Sequence, residues 1–339
     1  MIRTAKPGPQ PTSVNISSPT RRRGKELLTV LPFIAPWLLG FLTLVVYPFV
    51  ASLVWSFDRY DMLSPPEYVG TANYERLADE LVTGQRFGQA VWNTAYFALL
   101  SVPLSIVLGV GLAVMLSWQV RGQAVYRTIL FLPSVVPIVA SSILWLWLLD
   151  PQAGLVNYLL SLVGLPTPGW FNSTAEAAWP PGWFSGQWGF GSKDALVLMS
   201  LWGVGNFMII YLAAIGDIPL SLYEAAELDG AGPLRRFWHV TLPMLSPVIF
   251  FNLVMGLIHA IQAFTQVYIV SEGQGAPAGS TLMLSLYVFL SAFKYLQMGY
   301  ASAIAWTMFL LVVAATWALF RTSRRWVYYQ TGRGIGVRG

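Results

Sequence analysis

Residues 92–116 read WNTAYFALLSVPLSIVLGVGLAVML, a stretch without a single Asp, Glu, Lys or Arg. A helix needs about 20 consecutive apolar residues to cross a bilayer, and this run supplies them. Five more runs behave the same way, near 29–57, 128–149, 195–216, 242–270 and 298–320, and His259 is the one histidine inside any of them. The chain is 55% hydrophobic and only 10% charged, whereas a soluble domain carries roughly 25% charged residues. So few charges cannot cover a water-facing surface. Backbone in lipid must satisfy its own hydrogen bonds, so the runs read as helices. A membrane β-barrel would show short alternating segments instead. The expected fold class is an all-α integral membrane protein with six transmembrane helices over 29–325.

The flanks are different. Residues 1–28 are basic and rich in Pro, Ser and Thr, and end near RRRGKE at 21–26. The apolar run that follows is longer than the roughly 7–15 residues of a signal-peptide core. The expectation is a disordered cytoplasmic tail and an uncleaved first helix, with a second cytoplasmic tail over 326–339. An even number of crossings puts both termini on one side. With the termini inside, fifteen of the twenty Lys and Arg fall on the cytoplasmic side; Arg59, Arg76, Arg86, Lys193 and Lys294 remain outside. The positive-inside rule favours this orientation. The net charge of +5 therefore sits in tails and short loops, which argues against a nucleic-acid face. Cysteine is absent, which removes disulfides, thiol chemistry and Cys-built metal sites.

Three longer segments face outward in this arrangement: 58–88, 150–192 and 271–297, the last beginning SEGQGAPAGS. The middle one holds Trp170, Trp179, Trp183 and Trp188. Tryptophans near a membrane interface usually act as anchors, and that reading is favoured here over contact with a solute or partner.

One stretch concentrates charge between two apolar runs: YEAAELDGAGPLRRFWHVTLP at 223–243, inside a cytoplasmic loop of about 217–243. Pro219 can open a helix, and Gly230 suits a left-handed helix end. Gly-Ala-Gly-Pro breaks the path, and LRRFWHVTL resumes it, giving two short helices at an angle along the membrane edge. Glu224 and Glu227 share a face. Ala225 and Ala226 allow close approach by another surface.

The order Glu224-Ala225-Ala226, three residues, Gly230, nine residues, Val240, one residue, Leu242-Pro243 resembles the EAA signature of permease subunits in binding-protein-dependent ABC importers. Val240 stands where that signature has Ile. The resemblance spans about 30–325. The opening run, YRTILFLPSVVPIVASSILWLWLLDPQAGLVNYLL at 126–160 and LWGVGNFMIIYLAAIGDIPLSLYEAAELDGAG at 201–232 are similar to the carbohydrate-uptake branch. PPGWFSGQWGFGS at 180–192 departs from it as an insertion in an outer loop. The resemblance implies that the loop is a coupling helix docked in a groove of an ATPase subunit. Glu224, Ala225, Ala226, Asp229, Gly230 and Arg235 are its candidate residues. Glu224 and Asp229 would form salt bridges or caps, and Arg235 with Arg236 would meet the partner or anionic lipid. It further implies a second permease subunit, two ATP-binding subunits with ATP and Mg, an extracytoplasmic solute-binding protein, and a bacterial or archaeal inner membrane.

The chain has no G-x-x-x-x-G-K-[ST] phosphate loop, so ATP must bind elsewhere. No catalytic constellation is present, and His239 and His259 are too few for a His-built metal site. The chain reads as a non-enzymatic subunit that binds no cofactor itself. Proton-coupled transporters keep ionisable groups in the membrane; only His259 is available. Ser134, Trp145, Ser200, Trp202, Asn206, Asn252, Gln262, Thr265 and Gln266 form an uncharged inventory suited to sugar hydroxyls. Ser134, Ser200, Trp202, Asn206, Gln262 and Gln266 are the candidate pathway residues. Serines in membrane helices often bond their own backbone, so the amides Asn206 and Gln262 lead. By resemblance, the cavity lies between the third, fourth and fifth helices. Ala260 and Ala263 stand where a related disaccharide permease carries asparagines. The function expected is passage of a neutral sugar or oligosaccharide in an ATP-driven importer. The alternative is an ion- or proton-coupled secondary transporter or channel.

Overall fold

Pro137 decides how the third apolar run folds. A proline disfavours helical geometry in the residue before it, and Val136 accordingly sits at φ −69°, ψ 127°. In the computed structural model, which describes residues 32–118, 122–173 and 191–328, the run is two helices at 98° to each other. The tail 1–28, Trp179, Trp183, Trp188 and most of the 180–192 insertion lie outside the described residues.

The chain divides into two compact units, 1–52 and 53–339. The first holds most of α1 (Pro32–Trp55), interrupted by a π-helical turn at Leu42–Val46. Its apolar side chains are exposed along its length; Phe33 is 84% exposed.

The second unit begins with a short antiparallel pair, β1 (Asp58–Arg59) and β2 (Glu67–Tyr68). There follow α2 (Ala72–Thr83), α3 (Arg86–Ser117), the bent pair α4 (Gln123–Val135) and α5 (Ile138–Leu148), and α6 (Leu155–Leu162). Next come a second bent pair, α7 (Ser192–Leu201) and α8 (Gly205–Gly216), at 44°, and the short α9 (Leu220–Leu228). A turn at Pro233–Arg236 and a π-helical turn at Phe237–Thr241 run into α10 (Leu242–Ile261). After α11 (Thr265–Val270) come α12 (Leu284–Lys294) and α13 (Met298–Ser323). The fold is all-α and membrane-embedded. Among the described residues four helices are long and apolar enough to cross a membrane, or up to six if each bent pair is one span.

α3 is the central element: α7, α8, α10 and α12 all pack on it. Towards its start, Phe97 joins Leu196, Met283, Leu284 and Ile304 in one core. Towards its end, Val110 and Leu116 meet Met208, Tyr211 and Leu245 in a second. Gly205 is needed for the packing of α8 on α4, because a Cβ there would lie 2.1 Å from the Leu130 carbonyl oxygen.

The segments expected outside are held by buried amides. Asn93 donates to the carbonyls of Gly279 (2.8 Å) and Leu282 (2.9 Å), tying the 271–283 turns to α3. Asn157 donates to Pro151 and Pro168 and accepts from Trp170 Nε1 at 2.7 Å. Trp170 is only 4% exposed. It is therefore a loop-core residue, and the anchor expectation fails for it because its indole nitrogen has an internal partner. At the end of α5, Asp150 accepts the amides of Ala153 and Gln152, which hold its carboxyl below the usual carboxylate range. Beyond α13, Trp326 packs edge-on to Phe250 and the Tyr328 amide donates to Ser246 Oγ at 2.8 Å.

Candidate functional site: a broken-helix cavity and an exposed loop helix

Between α10 and α11 the helix stops at Gln262 and restarts at Thr265. Irregular backbone at membrane depth is tolerated where it lines a cavity, and here it does. Gln262, Ala263, Phe264 and Thr265 border a 490 Å³ cavity. The Ser285 hydroxyl of α12 bonds the Ala263 carbonyl freed by the break. The opposite wall is the middle of α3, including Phe97, Ser101 and Ser105, with Ser200, Phe207, Asn252, His259 and Gln266 completing it. No Asp, Glu, Lys or Arg is in the lining.

Three of the six candidate pathway residues, Ser200, Gln262 and Gln266, meet in this cavity. The other three do not border it. Ser134 closes onto its own backbone, donating to Phe131 O at 2.6 Å. Trp202 packs edge-on to Trp145 with ring centroids 6.1 Å apart. Asn206 is exposed. Ser200 also donates to its own helix, at Val197 O, 2.6 Å. Ala260 and Ala263 both line the cavity.

The sequence reading missed the contribution of α3. Ser101 and Ser105, one turn apart, face the cavity, and Ser105 donates back to the Ser101 carbonyl at 2.7 Å. Their spacing in an otherwise apolar helix was the available signal. Asn252 stood in the uncharged inventory but not among the candidates. It is 3% exposed, borders the cavity, and its side chain meets the buried Tyr211 hydroxyl. An amide carries two donors and an acceptor, so Asn252 keeps hydrogen-bonding capacity for a polar guest in the cavity.

The charged loop forms the second region. α9 begins at Leu220 with Pro219 as the flanking residue, and it ends in a Schellman motif. Gly230 lies at φ +73°, its amide donates to Glu227 O, and the Ala231 amide donates to Ala226 O, both at 2.9 Å. Glu224, Ala225, Asp229, Gly230 and Arg235 are exposed and Ala226 is half-buried. Leu220, Leu228, Leu234 and Trp238 are exposed beside them, Leu228 at 91%. The ion pair here is Glu227 with Arg236 at 3.4 Å, and Glu224 takes no part in it. The second short helix is not separate but continuous with α10 through the π-helical turn. Tyr223 Oη and Thr241 Oγ1 share a 3.0 Å hydrogen bond, which fastens α9 to that turn.

An uncharged cavity at a helix break, joined through packed helices to an exposed loop helix, defines a membrane transport component. The chain belongs to the family of binding-protein-dependent transport system inner membrane components, whose profile matches residues 101–328. It is 40% identical over 310 residues to the probable ABC transporter permease protein YesP of Bacillus subtilis, covering 91% of this chain and 94% of that one. It is 34% identical over 305 residues to the sulfoquinovosyl glycerol transport system permease protein SmoG of Agrobacterium fabrum, covering 89% and 92%. Its fold matches a chain of a bacterial ABC transporter that imports the acidic polysaccharide alginate, with TM-score 0.73, 23% identity, and coverage of 91% and 99%. It is a multi-pass inner-membrane protein and a non-catalytic permease subunit of an ABC transporter. Among the described residues, no group of three or more His, Asp or Glu could hold a metal ion.

Proposed function

We propose that this chain is the permease subunit of an ATP-driven importer that passes a neutral sugar or oligosaccharide delivered by an external solute-binding protein. The observation that carries the reading is the helix break opening onto a cavity with no charged lining. Amides give both donors and acceptors to hydroxyls, and Asn252, Gln262 and Gln266 are placed to do so. Phe97, Phe207 and Phe264 offer apolar faces to a sugar ring. The carbohydrate class is supported by the relative named for sulfoquinovosyl glycerol transport. The family description, binding-protein-dependent transport, favours this reading over a secondary transporter or channel.

In this reading each bent pair is one span, the chain crosses six times, and both termini are cytoplasmic. The domain then runs from 29 to 325 between tails 1–28 and 326–339. α9 and its Schellman end form the coupling helix of the loop at about 217–243, with Ala225 and Ala226 against an ATPase groove and Glu224, Asp229 and Arg235 at its rim. The exposed Leu228 and Leu234 are apolar contacts for the same groove. Two ATPase subunits hold ATP and Mg, and a second permease subunit completes the pathway. The test is a thermal-shift screen of the solute-binding protein encoded beside this chain against neutral disaccharides, sugar alcohols and uronates. Stabilisation by neutral sugars is expected; stabilisation by anionic sugars alone would overturn the neutral-cargo reading.

A further inference from the structure

A second polar cleft, of 660 Å³, lies at the start of α3, within the roughly 300–1,000 Å³ of small-ligand pockets. Its charges largely cancel. Glu80 is 6% exposed and pairs with Arg76 at 3.0 Å. Its other oxygen accepts the Phe87 amide at 3.2 Å and the Tyr287 hydroxyl at 2.9 Å. Arg86 is the remaining charged residue of the lining. Glu75 and Asp79 of α2 and Lys294 of α12 are exposed nearby in sequence and outside the lining. Arg76, Arg86 and Lys294 are thus matched by Glu75, Asp79 and Glu80, and no excess of either sign draws an ion in.

What the cleft offers instead is unspent hydrogen bonding. Ser291 lines it and is 1% exposed, yet its Oγ has no partner among the described residues. A hydroxyl both donates and accepts, and leaving one buried and unmet is costly. Arg86 donates to the Tyr295 hydroxyl, which uses one of the five N–H donors of a guanidinium. Gln297 Oε1 accepts from Arg76 at 2.9 Å, and the side-chain amide keeps its two N–H donors. Gln85 and Gln89 add two more amides to the lining. A buried hydroxyl, three amides and a guanidinium fork suit a neutral ligand with several adjacent hydroxyls.

The cleft shares a helix face with the cavity. Arg86, Gln89, Asn93, Phe97, Ser101 and Ser105 recur at spacings of three and four, which puts them on one face of α3. Arg86 and Gln89 border the cleft, while Phe97, Ser101 and Ser105 border the cavity. Between them Asn93 holds the Gly279 and Leu282 carbonyls, so the 279–282 turn covers the stretch that separates the two spaces. The same turn abuts Gln89, since a Cβ on Gly279 would lie 2.5 Å from its Oε1. Gln89 and Phe97 are eight residues apart, about 12 Å at 1.5 Å per residue. We propose that the cleft is a second subsite for the neutral sugar or oligosaccharide, across that turn from the cavity, with Ser291, Gln89 and Arg86 as its hydrogen-bonding residues. The proposal rests on the neutral-sugar reading above and adds a site to it.

The chain has no cysteine, so Gln85→Cys places a single thiol in the cleft wall. The test follows methanethiosulfonate labelling of that thiol, read by mass spectrometry of this chain, in the complete complex in lipid nanodiscs without nucleotide or binding protein. The probes are maltose, lactose, trehalose and glucuronate, and ATP-driven uptake of each by the wild-type complex with its binding protein is measured in parallel. A neutral sugar that is taken up should slow the labelling. Adding Ser291→Ala or Gln89→Leu should raise the half-protecting concentration about three- to ten-fold at an unchanged melting temperature, and Gln262→Ala in the cavity should leave it unchanged. If Gln85→Cys does not assemble, Gln297→Cys is the reporter. No protection by a neutral sugar that the complex takes up would overturn the proposal. So would protection that Gln262→Ala weakens as much as Ser291→Ala, or protection by glucuronate alone. Uptake of none of the three neutral sugars would instead sink the neutral-sugar reading on which the proposal rests.

Discussion

Replacing Gly230 in a graded series isolates one physical cause. Its φ is +73°, and a Cβ built there meets nothing within 4 Å. Steric collision is thus absent in the free chain, and backbone strain is what remains. An L-residue held in the left-handed region costs about 1–2 kcal/mol, with Asn the best tolerated and β-branched residues the worst. Gly230→Asn is therefore expected to cost under about 1 kcal/mol, Gly230→Ala about 1–2 kcal/mol, and Gly230→Val about 2 kcal/mol or more. At roughly 1.4 kcal/mol per factor of ten, the Schellman-capped form of α9 falls by about five- to thirty-fold in Gly230→Ala and further in Gly230→Val. The global fold should survive, because the site is exposed. The assay is ATPase-subunit affinity and sugar uptake at equal membrane level. Asn above Ala above Val is the expected order. Wild-type behaviour in Gly230→Val would refute the coupling assignment. Gly230→Asn as damaging as Gly230→Val would refute the strain argument and point to side-chain volume in the docked state.

Gly205→Ala should lower the melting temperature markedly, since its Cβ would meet backbone at 2.1 Å, while Gly256→Ala should be milder because its neighbour is the movable Val102 side chain at 3.1 Å; equal melting temperatures would contradict the packing described. Asn252→Leu should reduce uptake more than it lowers the melting temperature, because the side chain borders the cavity; a loss of stability with uptake intact would make the residue structural. Gln262→Ala should reduce uptake several-fold and shift preference among sugars at constant melting temperature, for the loss of about 0.5–1.5 kcal/mol per hydrogen bond. Asn206→Ala should instead weaken association with the second permease subunit, measured by co-purification, because Asn206 is exposed and outside the cavity lining.

Length and charge made the helical membrane class readable, because the cost of an unpaired charge in lipid leaves its mark on composition. The positive φ of Gly230 was readable for a similar reason: one residue type tolerates it. The bends were harder. Pro137 marks the break at 98°, but continuous apolar character hides where a span changes direction. Trp170 was misjudged because an indole looks the same in sequence whether its N–H meets Asn157 or an interface. The cavity was half legible. Gln262 and Gln266 lie at the helix break, where polarity has a visible purpose. Ser134 and Trp202 share that polarity, yet Ser134 satisfies its own helix and Trp202 packs on Trp145. Side-chain type fixes what a group needs, and only packing decides where it finds it.

The central claim is ATP-driven passage of a neutral sugar through a membrane subunit whose cavity lining has no Asp, Glu, Lys or Arg. Its most direct test is uptake into proteoliposomes holding the complete complex, with radiolabelled sugar and the loaded solute-binding protein on the outside. Uptake should require nucleotide inside the vesicles, stop when the partner ATPase is inactivated, and be indifferent to an imposed pH gradient. Accumulation driven by the pH gradient without nucleotide would contradict the account.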